Sequence, residues 1–302
     1  MPLGNLAQIV INSVIMGSIY VLIAIGLTMV YRVLRFANFS HAELVTFGAY
    51  SAYMVNVSLG LDIAFGLIAA FILTGLLGIA TDVLVFRRLR QKGSGTVSMM
   101  IASIGIGLVL RQSIQEIWGP DIRWYDLSVE SYSVLGASVT DIEIAIVAVS
   151  IALIVLLHMM FTHTKLGKAM RGVSDNPQLA MASGIDTEKI LLKVWFLGAG
   201  LAGAGGVFMG ADTRLIPILG WEMLLPAFAV VIMGGIGSFY GAIIAAYLLG
   251  FAENFGVLLL SDLGLSTGYR SAIAFIVLIL VLILRPGGIM GRRENNAAGL
   301  RS

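Results

Sequence analysis

The sequence predicts an all-α polytopic membrane protein with about eight to nine transmembrane or re-entrant helices, and three observations carry that reading. Of 302 residues, 58% are hydrophobic and 12% charged, and the mean hydropathy is +0.95. A soluble domain carries about 25% charged residues, so this chain has too little polar surface to solvate a globule. Apolar runs near the roughly 20 residues that cross ~30 Å of hydrocarbon recur along the whole chain. Between them, Lys and Arg gather on alternate connections.

Taken in order, the runs fall at about 7–31, 41–58, 62–86, 96–117, 142–162, 190–211, 222–236, 239–259 and 269–285. The first lacks a basic leader and is too long for the apolar core of a signal peptide, so it reads as a retained span. The segments 41–58 and 222–236 are short, and a re-entrant or broken course is open for both. Connection 32–40 holds two basic residues, 87–95 four, 163–193 five and 285–302 four, which together are 15 of the 19. The positive-inside rule makes these connections cytoplasmic. An external N-terminus, a cytoplasmic C-terminus and an odd number of crossings follow, with one transmembrane domain over 1–302. The stretch 119–141, GPDIRWYDLSVESYSVLGASVTD, is then an external loop, polar and aromatic but too short to be a domain.

Several chemistries find no support. Cysteine is absent, which excludes disulfides and thiol chemistry. His41, His158 and His163 have no metal-binding spacing. No clustered His, Asp or Ser constellation points to an enzyme, no cofactor or metal is expected, and nothing suggests nucleic acid as a partner. Gly198–Gly203 spells G-x-G-x-x-G, but it lies inside an apolar run with no preceding strand, so it is not a dinucleotide fingerprint. Small residues repeat every fourth position at Gly198, Ala202, Gly206 and Gly210, and again at Gly234, Ser238, Ala242, Ala246 and Gly250. Such ladders let helices approach closely in lipid; they serve packing within one subunit, or a subunit or sliding interface.

One stretch breaks the apolar pattern: MRGVSDNPQLAMASGIDTEKI, Met170–Ile190. Asn176 suits an N-cap and Pro177 the first helical position, so a helix of about two turns is expected from Gln178 to Ser183, with Gly184 as a left-handed stop. A helix this short is marginal alone. Its capping and its apolar Leu179 and Met181 suit docking to a cytosolic partner; the alternative is a helix lying on lipid headgroups. The chain has no G-x-x-x-x-G-K-[ST] loop, so an ATP-driven function would need the ATPase on another chain.

A charge at the bilayer centre costs ~2.5–3.5 kcal/mol on insertion scales, which singles out the polar residues within the runs. Glu43 follows a helix start at Ser40, where a first-turn carboxylate is favoured; the other reading places it on a translocation path. Glu253 and Asn254 lie near the outer end of their span, as a vestibule or simply facing water. Arg111 and Glu116 are expected to mark an outer end, Asp82 to pair with Arg87 or Arg88, and Asn12 and His158 to bond between helices.

Four blocks carry a family resemblance: GSIYVLIAIGLTMVYRVLRFANFSHAELVTFGAY (17–50), TKLGKAMRGVSDNPQLAMASGID (164–186), VVIMGGIGSFYGAIIAAYLLGFAEN (230–254) and LILRPGGIMGR (282–292). In order and nearly end to end, they resemble LivH-type permeases, the inner-membrane subunits of branched-chain amino acid ATP-binding-cassette importers; the loop 119–141 departs from the pattern. The resemblance implies a BtuC-like permease fold and a bacterial inner-membrane location. It also implies a related second permease, two cytosolic ATPases and an extracytoplasmic solute-binding protein. It makes 163–190 a coupling loop, with Asp175, Asn176, Pro177, Gln178, Leu179, Met181 and Gly184 meeting the ATPase. Glu43, Asn12, Glu253 and Asn254 are candidates for the pathway. Permeases for urea or short amides share the resemblance. A stand-alone channel or secondary transporter is the competing class, but it usually carries paired intramembrane charges.

Overall fold

The computed structural model describes residues 3–290 except 135, 263, 265 and 267–269. Helix α1 (Leu3–Leu34) is followed by α2 (His41–Tyr53), extended by a π-helical turn at Met54–Ser58. Helix α3 (Ile63–Thr81) continues through a second π turn, Asp82–Phe86, into α4 (Arg87–Gln91). Then come α5 (Thr96–Trp118), a hairpin of β1 (Ser131–Val134) and β2 (Ala137–Thr140), α6 (Asp141–His163), α7 (Lys165–Asp175) and α8 (Pro177–Ala182). The chain continues with α9 (Thr187–Asp212), α10 (Leu219–Gly234), α11 (Phe239–Asp262) and α12 (Arg270–Leu284). Among the described residues, six helices are long and apolar enough to cross a membrane: α1, α3 with α4, α5, α6, α9 and α11. Over their described residues, all nine apolar runs are mainly helical. Three of their helices, α2, α10 and α12, fall short of a full span, and of these α2 and α10 are the two expected to be short.

Their shortness has a structural reason. After α1, residues 35–40 turn back into the protein and bury Phe36 against Phe86, 5.0 Å between ring centres. Helix α2 therefore begins deep inside, where His41 Nε2 donates to the Ile23 carbonyl in the middle part of α1 at 3.0 Å. After α9, residues 213–218 turn back in the same way, and α10 begins beside the first turns of α2. There the Gly220 N–H donates to Thr46 Oγ1 at 3.0 Å. From these inner starts the two helices run toward opposite faces: α2 to the hairpin face, where Asn56 holds Asp126, and α10 to the α8 face, where Gly237 meets Arg32.

The order helix, six-residue return, half-length helix, four-residue turn, long helix thus occurs twice, in α1–α2–α3 and, upside down, in α9–α10–α11. Helix α3 lies along α9 as α11 lies along α1. Inverted repeats with discontinuous helices are a recurring transporter plan. The two central helices, α1 and α9, are buried over most of their length, whereas α5 and α6 turn residues such as Ile101, Val109, Ile151 and Leu156 outward.

Glycine makes the central contacts possible. A side chain at Gly48 would run into the backbone of Gly203, and one at Gly198 would stand 2.9 Å from the Gly26 carbonyl oxygen. The glycines of the G-x-G-x-x-G run therefore face α1, α2 and α3 as a packing seam within the subunit. The second expected ladder is corrected: the turn 235–238 separates Gly234 on α10 from Ala242, Ala246 and Gly250 on α11. Gly234 packs instead on Gly241, 2.6 Å from the atom a side chain would need.

Candidate functional site: a capped surface helix and intramembrane ion pairs

The stretch that broke the apolar pattern forms a helical hairpin at one face. Thr164 caps α7, accepting from the Gly167 N–H at 3.1 Å. Asn176 caps α8, accepting from the Leu179 N–H at 3.0 Å, with Pro177 at the first helical position. Gly184 adopts φ +81°, which permits the stop. Residues 177–182 are helical, within a residue of the expected bounds. Leu179 and Met181 are 64% and 53% exposed, while Ala180 is buried. Asp175, Asn176, Pro177, Gln178 and Gly184 are all exposed.

Two polar networks hold this hairpin to the membrane helices. On one side, the buried Ser174 Oγ accepts from Arg32 Nε at 3.1 Å, and Arg35 donates to the Ser174 carbonyl at 3.3 Å. On the other, Asp186 caps α9, and the backbone and side-chain bonds from Lys189 hold its carboxyl below the usual range. Glu188 then pairs with Arg87 at 3.2 Å and Arg90 at 3.7 Å. Arg90 also grips the buried Asp82 through two bonds of 2.6 and 3.1 Å. This corrects the expected Asp82 pairing with Arg87 or Arg88: the π turn after Thr81 shifts the helix phase, and Arg90 comes round to Asp82. A cavity of about 720 Å³ opens beside the hairpin, lined by Arg32, Arg35, Arg171 and Asp175 among others. The amphipathic helix α7, whose buried face includes Met170 and Val173, was not read from the sequence, although its apolar spacing was visible there.

The intramembrane polar residues are paired more fully than the sequence suggested. Glu43 is 1% exposed in the first turn of α2, and its Oε1 accepts from both Nε (3.0 Å) and Nη2 of Arg111. Arg111 therefore does not mark the end of α5; it lies seven residues before Trp118, reaching across to α2. Glu253 is also 1% exposed, held by Tyr20 Oη at 2.8 Å and Arg270 Nε at 3.0 Å. Asn254 donates to the Gly250 carbonyl one turn back. Asn12 is exposed and accepts from Gln8 on its own helix at 2.9 Å, contrary to the expected bond between helices. His158 does bond between helices, to Tyr240 Oη at 2.8 Å. Glu43 is thus buried where Asn12 is exposed, and the four candidates hold to separate partners and do not form one network. Asn38 Nδ2 and His41 Nδ1, at the buried entry to α2, have no hydrogen-bond partner among the described residues.

At the opposite face, the loop after α5 is clamped onto the C-terminal end of α2. Arg123 Nη1 donates to Tyr53 Oη at 3.1 Å, and Tyr125 Oη donates to the Ala49 carbonyl at 2.9 Å. Arg123 and Leu215 exchange backbone hydrogen bonds of 3.0 and 2.9 Å, which ties this loop to the return before α10.

Inverted half-helices within a multi-pass helical body, and a capped helix exposed at one face, define a membrane transport permease. The family model described as "Branched-chain amino acid transport system / permease component" matches residues 9–282, and the chain belongs to that family. It is 32% identical to the high-affinity branched-chain amino acid transport system permease protein LivH of Salmonella typhimurium, over 95% of this chain and 96% of that one. The same identity and coverage relate it to BraD, the corresponding permease protein of Pseudomonas aeruginosa. The ribose import permease protein RbsC of Escherichia coli is more distant, at 24% identity over 88% of this chain and 82% of its own. Among solved structures, PsaBC from Streptococcus pneumoniae in complex with Fab shares the fold, with a TM-score of 0.51 at 16% identity, covering 94% of this chain and 92% of that one.

Proposed function

We propose that this chain is the membrane permease of an ATP-driven importer for branched-chain or similar hydrophobic amino acids. It works with a second, related permease, two cytosolic ATPases and an extracytoplasmic solute-binding protein. The α8 face is cytoplasmic, a reading supported by the alternate Lys and Arg clusters, and the membrane is the bacterial inner membrane. The observation that carries the reading is α8 itself. It is a capped helix with Leu179 and Met181 bare to solvent, in a chain with no ATP-binding loop of its own. Residues 163–190 form the coupling loop. Closure of the ATPases pushes on α8, and the push passes through Ser174–Arg32 to α1 and through Glu188–Arg90–Asp82 to α3. Those are the two long helices that pack along α11 and α9, so the glycine seams between them are where the pathway shifts. No bond chemistry is assigned to the chain.

The test is affinity purification of the tagged chain in mild detergent, with mass spectrometry of what remains bound. A second sample carries Asp175, Asn176, Leu179 and Met181 changed to alanine. Two ATPases and a second permease are expected with the wild type, the ATPases being lost from the variant. A wild-type chain recovered alone and transporting without ATP would refute the importer reading in favour of a stand-alone channel or secondary transporter.

A further inference from the structure

Where α2, α5 and the start of α10 meet, charge stands at a depth at which lipid cannot solvate it. Arg111 lies about 10 Å inside the outer end of α5, by the helical rise over seven residues. Nε and Nη2 of Arg111 are committed to Glu43 Oε1. The guanidinium carbon sits over the Trp221 ring, 4.6 Å from its centre. The third nitrogen, Nη1, has no protein acceptor among the described residues, and the side chain keeps 19% of its surface exposed. Trp221 is 45% exposed. Glu222, the next residue, is exposed and has no ion-pair partner among the described residues. A structural ion pair accounts for Glu43 and Arg111, but it leaves exposed both Trp221, whose ring lies on Arg111, and Glu222, its chain neighbour in the first turn of α10. Ionisable groups exposed within spans mark a solute route, because facing lipid is costly.

The three groups are complementary to one class of solute. An open guanidinium edge suits a carboxylate, a free carboxylate suits an ammonium, and the part of the indole that Arg111 leaves uncovered suits an apolar side chain. The site also lies at the inner starts of both half-helices, where α10 begins against Thr46, and their N-terminal ends favour negative charge. The buried and unpartnered Asn38 Nδ2 and His41 Nδ1 lie on the segment that enters α2.

We propose that Arg111, Trp221 and Glu222 form an intramembrane station for a zwitterionic α-amino acid in passage. Arg111 Nη1 holds the carboxylate, Glu222 the ammonium and Trp221 the apolar side chain. Glu43 is a positioning residue that clamps two nitrogens of Arg111 and leaves the third free. The identity of the solute as an amino acid rests on the importer reading above.

The test is equilibrium binding of radiolabelled leucine to the purified permease–ATPase complex without its solute-binding protein. The competitors are 4-methylpentanoate, which lacks the amine, and 3-methylbutylamine, which lacks the carboxylate. Wild-type binding is expected to saturate, with each single-charge analogue competing about tenfold more weakly or worse, the loss of one charge-assisted hydrogen bond. Glu222→Gln changes an exposed side chain and should not disturb folding. It is expected to weaken leucine by about the same factor while leaving 4-methylpentanoate unchanged, a split that a merely structural role would not produce. Arg111→Lys keeps a charge beside Glu43 but loses the planar edge, and should weaken both. Absence of saturable leucine binding to the wild type up to millimolar leucine, or wild-type leucine affinity in Glu222→Gln, would overturn the station. Failure of the importer reading would show separately, as loss of the ATPases from the purified wild type.

Discussion

Replacing Gly48 with alanine probes the close packing on which both the fold and the proposed motion depend. Gly48 on α2 meets Gly203 on α9, and a Cβ at position 48 would stand 2.6 Å from the Gly203 carbonyl oxygen, where ordinary contact begins at 3.4 Å. The obstructing atoms are backbone, so the helices must separate by about 0.8 Å or more; no flexible side chain can move aside. Overpacking of this kind costs about 1–3 kcal/mol, and a backbone clash between two buried helices belongs at the upper end. Against it stands a gain of about 1 kcal/mol from alanine's helix propensity. The net expectation is a loss of about 2 kcal/mol, or a fall of roughly 5 °C in the unfolding midpoint of the detergent-purified protein. Gly105→Ala on α5 is the control, because a side chain there meets nothing within 4 Å. It should be neutral or stabilising by up to about 1 kcal/mol. Intrinsic-fluorescence melting of both variants reads the difference. Equal midpoints for Gly48→Ala and Gly105→Ala would refute the packing argument.

Two further outcomes follow from the α8 face. Asn176→Ala removes the acceptor for the Leu179 N–H and should weaken the α8 start by about 1 kcal/mol. Hydrogen exchange at residues 178–182 should then rise several-fold while the global midpoint stays put. Asp82→Ala leaves Arg90 with only Glu188, 3.7 Å away, and should destabilise by about 2–4 kcal/mol, somewhat less than for a fully buried pair because Arg90 keeps 18% of its side chain exposed. Replacing both Asp82 and Arg90 with methionine should recover most of that loss in the same melting assay.

How much of this was legible in advance depends on the range of the interactions involved. The membrane class, the nine apolar runs and the capped helix at 177–182 are written in composition, local periodicity and the Asn176-Pro177 and Gly184 signals. Caps are satisfied within three or four residues, so sequence alone locates them. His158 was correctly expected to bond between helices, since a polar side chain in an apolar span finds few partners on its own helix. Asn12 departed from that rule because Gln8, one turn away on an exposed face, meets its need locally.

The ion pairs required the third dimension. Glu43 and Arg111 are 68 positions apart, and Glu253 and Arg270 are joined by Tyr20 from the far end of the chain. No local pattern links such residues. The one-turn misassignment at Asp82 has a different origin, a π turn that an ideal period of 3.6 cannot anticipate. The inverted repeat was equally hidden, since α2 and α10 share half-length and starting depth but little sequence. Sequence by itself determined that the chain is a bundle of apolar helices with a capped polar hairpin at one face, because solvation and capping act locally. Only the tertiary structure decided that two of those helices begin inside the bundle, and that their starts bring Glu43 and Trp221 onto the same side chain, Arg111. That choice is made where the chain turns back at 35–40 and 213–218, and buried contacts such as Phe36 on Phe86 and Gly220 on Thr46 set the turns from distant segments.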